Sequence, residues 1–473
     1  MTRRIHAGLF GLVLVLVSGR SLMAQAAAPP AHALTLEEAI DYALGHYPAV
    51  RAALEQVSAA QAGVGLARTS YLPRADSLWQ SNRATVNNIF GTVLPQPFIP
   101  SVSGPVLPST SYRGVWGSTA GLLFSWEPAD FGLRRATVDA ARAGQNRVTA
   151  EVAVTRLEVA VAAADAFLTL LAAEHTVHAA QANLTRREAL ARSVHVLANN
   201  ELRPGADASR ADAEVALART NLARAEQQAR ISEAALAEIL GIAGTKVRIE
   251  PGPLLGAPPE TTLPAGPISG HPAATAQEER VNELRARAHI LDRTDYPRLF
   301  FQSAAYGRGS GANTNGTLAN GLNGLGLERG NWAAGMTIIF PNLFDFAALR
   351  AQKRIAAAND RAESARYDQT VQILTGQREQ ARAALEGARR VAEDTPIELQ
   401  AARQSEIQAH ARYEAGLATI VEVADAQGLL VQAEIDDALA RLAVWHNLAT
   451  LAAAEGNLEP FLAMLHATSG GRP

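Results

Sequence analysis

Apolar positions along this chain follow two rhythms, and the places where one gives way to the other divide it into elements. Over residues 130–202 the rhythm is helical. More than seventy residues pass with only Gly132 near the start and Gly144 inside, and no proline before Pro204, dominated by Ala, Arg, Glu, Leu and Val. At 1.5 Å per residue such a helix is a rod of roughly 100 Å, about three times the thickness of a bilayer core. Within it Val154, Leu157, Val161, Ala164, Leu168 and Leu171 alternate spacings of three and four, a coiled-coil seam that needs a partner helix. Between residues 112 and 126 the rhythm is two. Tyr112, Trp116, Leu122, Phe124 and Trp126 share one face, with Arg113, Gly117, Thr119 and Ser125 on the other. Aromatics at both ends of an apolar band, opposite small or polar residues, fit either a membrane-spanning strand or a half-buried strand of a soluble sheet.

Taken in order, a first unit over residues 27–250 holds helices at 35–70, 130–202 and 206–241 and strands near 74–86 and 112–126. Thr35 with Glu38 three residues on is a capping box; Tyr47-Pro48 breaks the first helix and Tyr71-Leu72-Pro73-Arg74 stops it. The proline-rich stretch 87–109 cannot be regular structure. Arg203-Pro204-Gly205 turns the rod into a shorter returning helix through Val215, Leu217, Leu222 and Leu236. Residues 251–272 have linker composition. A second unit over 273–460 repeats the plan, with strands near 298–306 and 332–340 around a Gly/Asn-rich loop at 307–330. Its helices run over 346–414, perturbed at Pro396, and 418–455, joined at Gly416; residues 461–473 are left as a C-terminal tail. Pro48 and Pro73-Arg74 recur as Pro272 and Pro297-Arg298 at the same separation of 25, and Asp130-Phe131-Gly132-Leu133-Arg134 is echoed by Asp345-Phe346-Ala347-Ala348-Leu349-Arg350. The chain is a duplicated strand–strand–long helix–short helix plan.

The first 26 residues read as a secretory signal: Arg3 and Arg4, an apolar core from Leu9 to Val17, and Ala24-Gln25-Ala26 as cleavage site. No cysteine follows, so no lipid anchor is expected there. No later run reaches eighteen apolar residues; the longest, 159–173, is interrupted by Asp165. Any membrane crossing must therefore use strands. Four strands are too few to close a barrel, and lipid tolerates no open edges, so several chains must contribute to one barrel.

Composition narrows the function. A net charge of −3 over 473 residues indicates no nucleic-acid footprint, and 48% hydrophobic content with only 5% aromatics suits long packed helices. With no cysteine, disulfides and thiolate chemistry are excluded. No phosphate loop, G-x-S-x-G or H-E-x-x-H is present, so neither catalysis nor a cofactor is expected. The acids Asp436-Asp437 fall on the polar side of a helical pattern, where solvation accounts for them. His175 and His178, three apart on one helix face, lack a third ligand nearby, and no metal site is expected.

On this duplicated plan, and on the second-turn motif Tyr413-Glu414-Ala415-Gly416-Leu417-Ala418-Thr419-Ile420-Val421-Glu422-Val423-Ala424-Asp425-Ala426, the chain resembles the TolC-like outer membrane efflux protein family across essentially all of its mature length. The resemblance implies an α+β membrane protein. Its trimer forms a twelve-stranded transmembrane β-barrel continued by a periplasmic α-helical barrel. It implies a passive exit channel in the outer membrane for a tripartite efflux pump, working with a periplasmic adaptor and an inner-membrane transporter. A type I protein secretion channel, or a periplasmic coiled-coil scaffold or adaptor without a pore, are the alternatives. By the same resemblance Glu422 and Asp425 match acidic positions ringing the pore, and Tyr413 matches an aromatic gate position. Ala418 replaces a basic residue of the prototype's latch. The aspartate expected after the first turn is either Asp212 or absent, since Ala211 occupies the straight match. Gly205, Gly416, Leu417 and Thr419 are adaptor-contact candidates, with simple turn chemistry as the competing reading.

Overall fold

The computed structural model describes residues 30, 32–85, 112–201, 204–261, 263–312, 317–341 and 346–469. The expected signal segment, the proline-rich stretch 87–109, Arg203 and Asp345 lie outside the described residues.

Helix α1 (Leu36–His46) starts at Thr35, whose Oγ1 accepts the Glu38 amide at 3.3 Å while the Thr35 amide donates to Glu38 Oε2 at 2.9 Å. That is a complete capping box, and it satisfies two otherwise orphaned donors. Tyr47 is extended, as a residue before proline prefers, and α2 (Pro48–Thr69) begins with that proline at its first position. Strands β1 (Arg74–Thr85), β2 (Gly114–Ala129), β3 (Arg298–Ser310) and β4 (Arg329–Ile339) then form one antiparallel sheet in the order β1-β2-β3-β4. The strands therefore reach further into the Gly/Asn-rich region than its composition suggests, because the alternation continues through Gly307 and Gly309.

The register sorts the sheet's two faces. Trp79 lies opposite Ala120, Leu122 opposite Ala305, Trp126 opposite Phe301 and Phe301 opposite Met336, while Ala305 meets Trp332. Directly paired residues share a face, so this side is an apolar band, and Trp79, Leu122, Trp332, Met336 and Ile338 are all exposed on it. The other side collects Asp76, Gln80, Asn82, Thr119, Ser125, Gln302, Arg308 and Thr337. The outer edges of β1 and β4 have no partner strand among the described residues.

The helical part is a single wall. Helix α3 (Leu133–Asn199), 67 residues long, packs against α2 and α5 (Pro272–Arg293) near the sheet and against α4 (Gly205–Ile239) and α7 (Ile420–Ala454) further away. Helix α6 (Phe346–Glu414) closes the other side against α5 and α7. Helix α5 repeats α2; the proline spacing marks its limits although the sequence assigns no helix there. Pro396 lies inside α6 without ending it. Among the described residues no helix is long and apolar enough to cross a membrane.

At mid-length the wall thickens into the main apolar cluster. Phe167, Leu170 and Leu171 of α3, Leu236 and Leu240 at the end of α4, and Trp445 and Leu448 of α7 are among its largest fully buried side chains, with Ile40 of α1 beside them. Of the predicted seam, Ala164, Leu168 and Leu171 are buried in this cluster and Leu157 and Val161 pack against it half-buried. Within the stretch read as a C-terminal tail, α8 (Glu459–Ser469) inserts Phe461 edge-on to Trp445, ring centroids 6.3 Å apart. The linker is a strap, with short 3-10 helices at Gly252–Leu255 and Ile268–Gly270, Leu254 buried in the cluster, and carbonyls of Thr261 and Gly266 held by Arg389 and Arg378. Asp437 is also not solvated; it is buried, accepting from Arg441 Nη2 at 2.7 Å and from Thr395 Oγ1 at 3.5 Å across α6.

At the corner from β2 to α3, Asp130 accepts the amides of Gly132 and Arg134 at 3.1 and 2.6 Å and Arg134 Nε at 2.9 Å, and Arg134 Nη1 reaches back to the Ser70 carbonyl. Gly132 supplies the φ of +102° that this corner needs. Burial pushes the Asp130 carboxyl up, but those donors outweigh it and hold it below its ordinary value. Its contribution to the corner is thus complete above the ordinary carboxylate range and lost as pH falls through the lowered value. Amide exchange at Gly132 and Arg134 should accelerate on acidification below about pH 4, and Asp130→Asn should show fast exchange at every pH. Truncating Phe461→Ala should destabilise the folded protein by about 3 kcal/mol, read as a lowered denaturation midpoint with Trp445 emission shifted to the red.

Candidate functional site

The sequence-matched residues converge on the helix ends farthest from the sheet. Helix α6 ends in a Schellman motif: Gly416, at φ +76°, donates to the Tyr413 carbonyl at 3.0 Å and Leu417 donates to the Arg412 carbonyl at 2.8 Å. Leu417 is thrust outward, 72% exposed. Thr419 then caps α7, its Oγ1 accepting the Glu422 amide while Glu422 Oε1 receives the Thr419 amide at 3.2 Å. Gly205 opens α4 with open space around it, so its surroundings do not demand glycine.

Tyr413 is packed inside this tip rather than displayed at a surface. It is buried in a small cluster with Val194 of α3, Ala211 and Val215 of α4, and Ile420 and Val423 of α7. Ala418 is buried in the same cluster. Glu422 and Asp425, three apart on α7, are both exposed; Glu422 shares its carboxylate between the cap and Arg412 at 3.7 Å. Ala211 is buried in the cluster while its neighbour Asp212 is exposed and accepts from His195 Nε2 at 2.8 Å, tying α4 to α3. The structure brings Glu422 and Asp425 to one face and leaves Asp212 on another helix pair.

Sequence reasoning missed the residues that hold the two hairpins of the tip together. Arg187 of α3 is buried; its Nη2 donates to the Ala424 carbonyl of α7 at 2.9 Å and its Nη1 lies 3.2 Å from Glu214 Oε2 of α4. Burial pushes its guanidinium below the usual arginine range, opposed by the charges of Glu214 and Asp425. Next to it Arg186 forks onto Glu434 of α7 with contacts of 2.8 and 3.4 Å. An arginine pair inside an otherwise apolar seam was the available signal. His175 and His178 are adjacent rings, 6.2 Å apart, and burial with the His178 charge pushes His175 down. Among the described residues no group of three or more metal-ligating side chains forms.

The outer membrane efflux protein family model matches residues 39–242 and 268–457, one segment for each repeat. The chain belongs to the outer membrane efflux protein family. No curated protein matches it at the sequence level. Solved structures share the efflux-protein fold. CusC, described for transmembrane channel formation, superposes with a TM-score of 0.72 at 16% identity, covering 89% of this chain and 92% of CusC. The Campylobacter jejuni CmeC outer membrane channel gives 0.71 at 17%, over 92% and 89%. The Neisseria gonorrhoeae MtrE outer membrane channel, in its open state, gives 0.70 at 21%, over 89% of each chain.

Because Arg187 joins three helices of this efflux protein, Arg187→Ala should loosen the tip by about 2 kcal/mol. Hydrogen exchange should rise over the first turns of α7 and stay unchanged around Trp445; uniform protection in both places would assign Arg187 no tying role.

Proposed function

We propose that this protein is the subunit of a homotrimeric exit channel of a tripartite efflux pump, a passive duct from the periplasm through the outer membrane for drugs, metals or other small molecules. The observation that carries the reading is the sheet: an exposed apolar band on one side, polar residues on the other, and two edges that meet no further strand among the described residues. Edges of this kind cannot remain open in lipid. Three copies joined edge to edge supply twelve strands, enough for a closed barrel with a polar interior.

The helical wall asks for the same closure. Leu54 and Leu66 of α2 and Leu217 and Ile231 of α4 are exposed along one margin, and Ile355, Val391, Ile397 and Ile407 of α6 along the other. Joined margin to margin, three walls make an α-helical barrel reaching roughly 100 Å from the membrane. Export by the signal at residues 1–26 would deliver the chain to the periplasm, with the barrel contacting outer-membrane lipid.

In this arrangement Glu422 and Asp425 of three subunits form carboxylate rings at the tip, a cation-favouring constriction. Asp212, paired with His195, borders it, and Tyr413 acts from within, as the packing that sets where α7 sits. The exposed Leu417, with Gly416, Thr419 and Gly205, faces a periplasmic adaptor that links the duct to an inner-membrane transporter.

Single-channel recording of the purified protein in a planar bilayer tests the duct directly. Discrete cation-preferring steps are expected. A folded protein that fractionates as soluble and never conducts overturns the reading. In the Glu422→Ala/Asp425→Ala double variant the reversal potential should move toward that of an unselective pore, and an unchanged value removes both residues from the conduction path.

A further inference from the structure

Bordering the main apolar cluster, and sharing Ala381, Ala449 and Ala454 with it, lies a groove of about 870 Å³ where the end of α7 meets the start of α5 between the two long helices; none of its lining residues comes from α1 or α8. That volume is in the range of small-molecule sites. Its floor is apolar: Val154, Leu157 and Val161, the half-buried part of the predicted seam, line it together with Ile373 and Leu374 of α6. No lysine or arginine lines it, whereas two carboxylates do. Asp165, the residue that interrupts the longest apolar run, is held 3.2 Å from His446 Nδ1. Glu158, about two turns away on α3, is exposed at the rim and pairs with no cation among the described residues.

We infer that this groove is a binding site for an amphiphilic organic cation, with the ligand's apolar body against Leu157, Val161 and Ile373 and its positive charge toward Glu158 and Asp165. An anion would meet two carboxylates in a partly desolvated groove and be disfavoured, and a simple metal ion would gain nothing from the apolar floor. Val154, Leu157 and Val161, only half-buried by the protein's own helices, complete their burial against the ligand. That the groove faces the lumen rests on the duct reading, since closure of three walls turns the α1 and α8 side outward; the binding itself does not.

The test uses the full protein in zwitterionic lipid nanodiscs, with empty discs as reference, titrated with rhodamine 6G as cationic probe and Nile red as neutral probe. Fluorescence anisotropy should show saturable rhodamine 6G binding. Glu158→Gln/Asp165→Asn should weaken rhodamine 6G by about tenfold and leave Nile red unchanged, the scale of two partly exposed charge contacts. Ile373→Ser, at a position already 51% exposed and so tolerant of substitution, should weaken both probes. Binding no different from empty discs, or equal in wild type and both variants, overturns the inference. Conductance recorded on the same preparation separates the two claims: steps without dye binding remove the groove and leave the duct, and dye binding without conductance does the reverse.

Discussion

A wall only one helix thick cannot bury much apolar surface, and that constraint organises everything else in this molecule. Helix α6 runs 69 residues with most of its surface open to its surroundings. The chain compensates at one level, where α1, the strap, α8 and the ends of α4 and α7 gather on α3 around Trp445, Phe167 and Phe461. Both repeats contribute to this cluster, so it is also the joint that makes two similar halves one body. Apolar contacts are non-directional, which suits a joint that must hold rods of unequal length without specifying every angle.

The sheet and the tip use directional interactions instead. In the sheet, backbone pairing and period-two alternation sort lipid-compatible from polar side chains with no help from a core. At the tip, small residues leave little area to bury, and the ties are the guanidinium contacts of Arg186 and Arg187, the His195–Asp212 pair and the cap at Thr419. A guanidinium contact weakens steeply with small displacements.

Much of this was legible in the sequence because it rests on local rules. Capping at Thr35, the break at Tyr47-Pro48, the Gly416 turn and the two rhythms need only neighbours along the chain. The duplicated proline spacing exposed the repeat. What was not legible depends on distant segments meeting. Residues 461–473 look like a tail because eleven helical residues carry too short a pattern to announce a partner, and Phe461 has meaning only once Trp445 stands beside it. Asp437 looks solvated until Thr395, brought across from α6, and Arg441 enclose it. Tyr413 matched a gate position by motif, yet its burial follows from α3 and α4 arriving over it, a contact between residues some two hundred positions apart.

The predicted seam on α3 shows how one pattern can be divided between two uses. Its lower half, Ala164, Leu168 and Leu171, is buried in the cluster, while Leu157 and Val161 pack against it only half-buried and, with Val154, line the groove, although the spacing never changes. Periodicity reports which face of a helix is apolar, not what covers it. Asp165 stands among these positions, yet its carboxylate stays exposed and pairs with His446 instead of entering the cluster. A charge there keeps that face of the rod open, because burying it deeper would require a stronger partner than a histidine. Cluster and groove therefore meet along the same stretch of α3, sharing Leu157 and Val161, and one apolar stripe serves both the joint of the molecule and the lining of the groove.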